Sequence, residues 1–313
     1  MPNLPIHFAP LQGYTEVCYR NVHAACFGGV DIYYTPFVRL EKGSFRNRDV
    51  RGIEPKNNKV PHLVPQLIAP SFEKAETILK LFIEKGYGEA DINLGCPFPL
   101  LAKRHNGAGI LPYPEEVKGL LRLVLAYPQV SFSIKMRLGW ENPDECLKLL
   151  PAINELPLRH VTMHPRLGKQ QYKGEVNLNG FTAFMDACKH PVVYNGDINS
   201  LEDFQQIRDR FPALAGIMIG RGLLANPALA LECGQSHALH PDEMAQKLQS
   251  MHQSVYTAYA GQLEGGDAQL LNKMKTFWEY LLPDADKKLL KAIHKSTTLS
   301  KYSQAVSAFF NRR

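Results

Sequence analysis

No apolar run in these 313 residues approaches the length of a membrane-spanning helix, and no charged-then-apolar leader follows Met1-Pro2-Asn3. A soluble, cytoplasmic protein with no membrane partner is expected. The cysteines offer no framework either. Cys18, Cys26, Cys96, Cys146, Cys188 and Cys233 are scattered, with no C-x-x-C and no paired His/Cys spacing. That pattern argues against a structural metal, an iron–sulfur cluster or a disulfide scaffold, so no metal is expected. What the chain does have is bulk. Its 45% hydrophobic content suffices for one large α/β domain with a smaller appendage. The formal net charge of +6 permits a polyanionic partner without requiring one.

Short apolar runs alternate with amphipathic stretches up to about residue 225. Strands are predicted at Ile6–Ala9, Asp31–Thr35, Leu63–Leu67, Glu89–Asn93, Val130–Met136, His160–His164, Val192–Asn195 and Gly216–Ile219. Helices are predicted at Glu16–Ala25, Phe72–Lys85, Pro114–Tyr127, Pro143–Asn154, Gly180–Lys189 and Leu201–Arg210. The segment Phe37–Pro61 is polar, basic and irregular, so the helix after the second strand is missing or replaced. Eight strands with intervening helices suggest a closed parallel (β/α)8 TIM barrel rather than an open doubly wound sheet.

Alternation along the strands predicts which side chains point inwards. In Val130–Arg137 the odd positions Ser133, Lys135 and Arg137 are polar and should face the axis. Ile134 and Met136 should then pack outwards on helices. His164 and Arg166 end the sixth strand in the same sense, as Gln66 and Asn93 end theirs. Polar groups thus collect at one mouth, where barrel enzymes keep their active sites. The plainer alternative is a polar plug bonded to itself, against which stands Lys135, which would need a buried anion.

From about Pro241 the pattern changes. Met244, Leu248, Met251, Val255 and Tyr259 recur at helical spacing, as do Leu270, Met274, Phe277 and Leu281. A barrel over residues 1–240 and a helical bundle over residues 241–313 are expected. The second region holds ten Lys/Arg and seven Asp/Glu, a net +3. Lys287, Lys291 and Lys295 form one basic stripe at i, i+4 and i+8, which is a solvated face or a nucleic-acid contact.

Two features carry chemistry. Asp91-Ile92-Asn93-Leu94-Gly95-Cys96-Pro97 begins as a strand and ends in a turn that presents a thiol. A cysteine there is commonly a small buried hydrophobe, so its neighbours decide its meaning. Asn195-Gly196-Asp197 follows the seventh strand and Gly220-Arg221-Gly222 the eighth. Glycine lets backbone N–H groups close on an anion, and these two positions are where barrels bind phosphate. Ordinary strand-to-helix turns would also use glycine.

These segments resemble the tRNA-dihydrouridine synthases. The likeness is carried by Asp91–Pro97, Asn106-Gly107-Ala108-Gly109, Lys135-Met136-Arg137, His164-Pro165-Arg166 with Gln170 and Tyr172, and the two glycine loops. Ala9-Pro10-Leu11-Gln12-Gly13 is similar to the family's first-strand motif, with Leu-Gln where Met-Glu or Met-Ala often stands. The match runs from Ala9 to about Pro227.

The resemblance implies an FMN-bearing barrel that reduces a D-loop uridine in tRNA, with NADPH as electron donor. Pro10 and Leu11 would line the flavin ring, and Gln66 would bond its pyrimidine edge. Lys135, with His164 close by, would stabilise the reduced ring. Asn195, Gly196, Asp197, Gly220 and Arg221 would form the phosphate site. Hydride should reach C6 of uridine, and Cys96, a mostly protonated thiol, would deliver the proton to C5. Asn93 and Arg137 would read the uracil edges. Arg166, Lys103, Arg104, Lys273, Lys275, Lys287, Lys291 and Lys295 are the candidate RNA contacts. Phe98–Gly109 is a candidate lid with Gly107 and Gly109 as hinges. Chain length and the Lys273-Met274-Lys275 segment resemble the C-type bacterial enzymes, which act on uridine 16. A monomer is expected. Three rivals stay open: an FMN-dependent dehydrogenase of a free small molecule, a Schiff-base aldolase built on Lys135, and a non-catalytic tRNA-binding barrel.

Overall fold

The computed structural model describes residues 4–311. Its nine-stranded parallel sheet runs from Leu63–Val64 through Ile32–Tyr34, Ile6–Phe8, Gly216–Ile219, Val192–Asn195, Leu158–Leu167, Ser131–Gly139 and Glu89–Leu94 to Gln66–Leu67. The two terminal segments of that order are halves of one strand interrupted at Pro65, which has no N–H to donate. Leu63 pairs with Tyr33 on one side, while Gln66 pairs with Asp91 on the other. The sheet therefore comes round on itself as the expected eight-stave barrel, surrounded by helices.

The predicted helix positions hold because local signals agree with the apolar period. Pro114 and Pro241 each open a helix with two acids in its first turn. Ser200 and Asp203 form a reciprocal capping box. The fifth and sixth strands run longer than alternation suggested, to Gly139 and Leu167. Arg137 pairs with His164 and Gly139 with Leu167 across a register shift. Arg137 and Arg166, expected on the inward face at these strand ends, are buried there. The irregular Phe37–Pro61 segment holds a hairpin (Leu40–Glu41 with Ser44–Phe45) and a short helix, Asn47–Ile53. The fully buried Arg20 guanidinium ties this segment down, donating to the carbonyls of Thr15 and Gly52 and to Asn58 Oδ1.

Outward-facing Ile134 and Met136 are fully buried against the helices, as the alternation required. Each contributes about 1.5–3 kcal/mol by burial. Inside, the barrel divides. Ala9, Ile32, Tyr34, Val64, Val193 and Met218 form an apolar cluster on one side. Gln66, Asp91, Asn93, Ser133, Arg137, Thr162 and His164 are buried polar groups contributed by the third to sixth strands. At the bottom, Tyr34 Oη bridges His7 Nδ1 (3.1 Å) and His160 Nε2 (3.2 Å).

Beyond the barrel, helices Pro241–Ala260, Gly266–Phe277, Lys287–Lys295 and Leu299–Phe310 pack together around Trp278, whose indole N–H donates to Tyr302 Oη at 2.8 Å. They dock on the helix Val17–Cys26, where Cys18 Sγ donates to Gln262 Oε1 and Lys247 Nζ to the Cys26 carbonyl. Among the described residues no helix is long and apolar enough to cross a membrane.

Candidate active site

One cleft, with a cavity volume of about 130 Å³, opens at the C-terminal ends of the barrel strands. Pro10, Leu11, Asn93, Cys96, Lys135, Arg137, His164, Tyr172, Asn195–Asp197 and Gly220–Arg221 all line it. Residues more than 200 positions apart in the chain thus meet where sequence alternation placed the mouth.

Cys96 sits where the fourth strand ends, held from two sides. From below, Asn93 Oδ1 accepts the backbone N–H groups of Gly95 (3.0 Å) and Cys96 (2.8 Å), a local turn that stops the strand. From the other side, the Ala108 N–H donates to the Cys96 carbonyl. Burial pushes the thiol pKa up, opposed in part by the Phe98 N–H and by Arg137, Lys135 and Arg39. The thiol is therefore a proton holder at neutral pH rather than a thiolate. His105, near it in sequence, is not near it in function. Its imidazole bonds Glu116 Oε2 at 2.7 Å and stacks on Tyr113, and it does not line the cleft.

The Lys135 ammonium makes no hydrogen bond or ion pair with another described residue. Burial first, then Arg137, lowers its pKa to about 8, against the opposing pull of Asp91 and Cys96. An ammonium facing a cleft with no protein partner is built to meet an anion or an acceptor. His164 is held well below its usual value by burial and by Arg137, Lys135, Arg166 and Arg221. Arg166 can only donate, so His164 Nε2 accepts from it at 3.3 Å and the ring proton resides on Nδ1. Neutral His164 is a fixed donor.

The two glycine loops interlock. A Cβ on Gly222 would lie 2.0 Å from the Ile198 carbonyl, and one on Gly196 would lie 2.9 Å from Val176. Only glycine lets the backbone at 222 approach that of Ile198 so closely. Between them Asp197 takes a left-handed backbone (φ 40), accepting Arg166 through both carboxylate oxygens and Arg221 at 3.2 Å. Arg221 also covers the Tyr172 ring at 4.9 Å, and Arg137 lies over the same ring at 5.5 Å.

Some expected roles shift. Gln66 was expected on a flavin edge, but it is fully buried and does not line the cleft. Its amide bonds Asp91 and Asn93, each at 2.7 Å. Arg166, expected at RNA, is 2% exposed and is taken up by Asp197, His164 and the Gly174 carbonyl. Lys273 is likewise a docking group: it pairs with Glu16 at 2.7 Å and covers the Tyr259 ring. Gly107 and Gly109, expected as hinges, are both buried, and a Cβ on Gly109 would lie 2.3 Å from the Ala102 carbonyl. Arg137 does line the cleft, anchored to the carbonyls of Gly95 and Leu167. Lys103, Arg104, Lys287, Lys291 and Lys295 are exposed and Lys275 half-buried, none with a salt-bridge partner among the described residues.

Two groups lining the cleft and one acting on it had no assigned role in the sequence. Gln12 Oε1 is buried there without a hydrogen-bond partner. Phe37 lines the wall, and Arg39 lies close enough to act on Cys96 electrostatically. Both come from the irregular segment after the second strand, whose basic character was the available signal.

A closed parallel barrel whose cationic and thiol groups converge at the C-terminal mouth defines a TIM-barrel enzyme. The chain belongs to the dihydrouridine synthase family, whose sequence pattern matches residues 7–309. The tRNA-dihydrouridine(16) synthase of Pseudomonas putida is 30% identical over 238 residues, 73% of this chain and 73% of that protein. The tRNA-dihydrouridine synthase B of Pasteurella multocida is 33% identical over 148 residues, 47% of this chain and 44% of that protein. Among solved structures, a mutant morphinone reductase in complex with tetrahydroNAD superposes with a TM-score of 0.51 at 12% identity, over 77% of this chain and 90% of that one. That likeness is one of fold.

Proposed function

We propose that this enzyme reduces the C5=C6 bond of a D-loop uridine in tRNA to 5,6-dihydrouridine, with FMN in the cleft and NADPH as reductant. The residues present fit such a cofactor. Lys135 offers an unpartnered ammonium and Gln12 an unpartnered acceptor on one cleft, and the two glycine loops, packed together at Gly222 and Ile198, both line it. Pro10 and Leu11 would flank the ring, while Asn195, Gly196, Gly220 and Arg221 would hold the phosphate. Asp197 would orient Arg221 rather than touch the anion itself. FMN, when bound, supplies hydride to uracil C6 and accepts electrons from NADPH.

The chain's own residues do the rest. Cys96 holds a proton on Sγ and gives it to C5, which becomes basic as C6 is reduced. His164 Nδ1–H and Lys135 stabilise negative charge at the cleft floor. Asn93, Arg137 and Tyr172 would receive the base, which must be turned out of the RNA stack to reach them. Lys103, Arg104, Lys275, Lys287, Lys291 and Lys295 would meet phosphates. Uridine 16 is the favoured position, supported by the 30% identity to the P. putida relative across nearly three quarters of both chains.

The observation that carries this reading is the single cleft shared by a protonated thiol, an unpaired lysine and two interlocked glycine loops. Mass mapping of dihydrouridine tests it, using tRNA from cells lacking the gene and from cells carrying Cys96→Ala. Position 16 should revert to uridine in both. Unchanged dihydrouridine in the deletion strain would overturn the tRNA reading and favour a free small molecule as substrate.

A further inference from the structure

Beneath the cleft a chain of four side chains ends on the backbone of Cys96. Ser133 Oγ donates to Asp91 Oδ1 (2.5 Å), and Gln66 Nε2 donates to Asp91 Oδ2 (2.7 Å). Asn93 Nδ2 donates to Gln66 Oε1 (2.7 Å), which leaves Asn93 Oδ1 for the N–H groups of Gly95 and Cys96. Gln66 and Asp91 are fully inaccessible, and Asn93 is 7% exposed.

An amide side chain can face either way, so something must choose. Both ends of this chain have fixed polarity. The backbone N–H groups can only donate, and an ionised carboxylate can only accept. Between them each amide has one consistent orientation: nitrogen towards Asp91, oxygen towards Cys96. Turning either amide would set two donors or two acceptors face to face inside the barrel.

We propose that Asp91 is a positioning residue for the reaction, acting through Gln66 and Asn93 to hold the Cys96 turn in one conformation. The groups facing Asp91 are Ser133 and Lys135 on the fifth strand, Gln66 on the third and Tyr34 on the second. Burial raises the Asp91 pKa to about 6, opposed by the hydrogen bonds from Ser133 and Gln66 and then by Lys135, the cation among them. The carboxylate neither lines the cleft nor reaches a reacting atom. It sets the direction of the hydrogen bonds above it, as a keystone sets an arch. For turnover the inference rests on Cys96 being the proton donor; for the geometry it does not.

The test is the rate at which iodoacetamide alkylates Cys96 in the full-length protein as purified, read from the Cys96 peptide by mass. This readout needs neither flavin nor tRNA, so failure of the tRNA reading leaves it intact. Gln66→Met removes the link at nearly constant volume and should speed alkylation about fivefold, the equivalent of one lost hydrogen bond. The double variant Gln66→Glu/Asp91→Asn moves the acceptor-only group one place along the chain, which again forces Asn93 nitrogen downwards and its oxygen towards Cys96. It should stay within about twofold of the wild-type rate. In an active preparation Gln66→Met should lower kcat and leave tRNA affinity unchanged. Wild-type alkylation in Gln66→Met, or a double variant as fast as Gln66→Met, would overturn the relay. Should the double variant fail to fold, Gln66→Met still decides.

Discussion

Gly107 stands so close to Cys96 that a Cβ on it would lie 2.6 Å from the cysteine's carbonyl oxygen and 2.8 Å from its Cβ. Its φ of +60 is also one that side-chain-bearing residues avoid. Gly107→Ala should therefore push the thiol turn away from the cleft as well as cost about 2 kcal/mol of stability. Loss of turnover well beyond what the melting temperature explains is the expected result. A variant with normal kcat and unaltered Cys96 reactivity would show that the turn tolerates the shift.

Lys135 predicts a pH dependence with a definite sign. Its folded pKa of about 8 lies below the ordinary 10.5, so folding penalises the ammonium form. That penalty is present in full below about 8 and is relieved as pH rises towards 10.5, where this group ceases to oppose folding. A bound anion acts the other way, because it needs the ammonium. FMN affinity, followed by fluorescence quenching, should weaken as pH rises through about 8. In Lys135→Met it should be weaker throughout and lack that step.

Asp197 is the acceptor for a guanidinium that is 2% exposed. Asp197→Ala would leave Arg166 buried beside His164 without its counter-charge. The expected cost is about 3 kcal/mol, read as a lowered denaturant midpoint with unchanged slope. Asp197→Asn keeps an acceptor and should lose less. Equal stability of both variants with the wild type would mean that Arg166 finds water.

Lysines on the helical region should separate by experiment into two kinds. Lys273 is held between Glu16, the Gly13 carbonyl and the Tyr259 ring. Lys273→Ala should lower thermal stability by about 1 kcal/mol and change the salt dependence of tRNA binding little. Charge reversal at Lys287, Lys291 and Lys295 should do the opposite, flattening the slope of affinity against salt while the melting temperature holds. Filter binding at two salt concentrations distinguishes them.

The barrel was legible because periodicity is a property of each segment alone: Ile134 and Met136 outside, Lys135 and Arg137 inside, required no knowledge of neighbours. The Cys96 turn and the two glycine loops were legible because their residue types restrict the backbone. Partnership was not legible. Nothing local in Arg166 says that Asp197 will claim it, nor in Lys273 that Glu16 waits across the helix junction. Charged residues read as RNA contacts whenever their partners are distant in sequence. Gln66 shows the complementary limit: its position on the inward face was legible, but its burial between Asp91 and Asn93 was not. Arg39 and Phe37 were missed because the segment that carries them has no period at all.

The unequal halves of the barrel interior have a consequence for how the protein tolerates change. Ala9, Ile32, Val64, Val193 and Met218 are contributed from both ends of the chain's barrel region, whereas most of the polar layer comes from one continuous stretch, Gln66 to His164. Substitutions in the first group alter volume, and neighbouring methyl groups can settle around them. Substitutions in the second alter the direction of hydrogen bonds, and no small settling repairs a reversed dipole. A saturation scan scored for abundance and for product should therefore split along the barrel axis: one wall graded and forgiving, the other all-or-none.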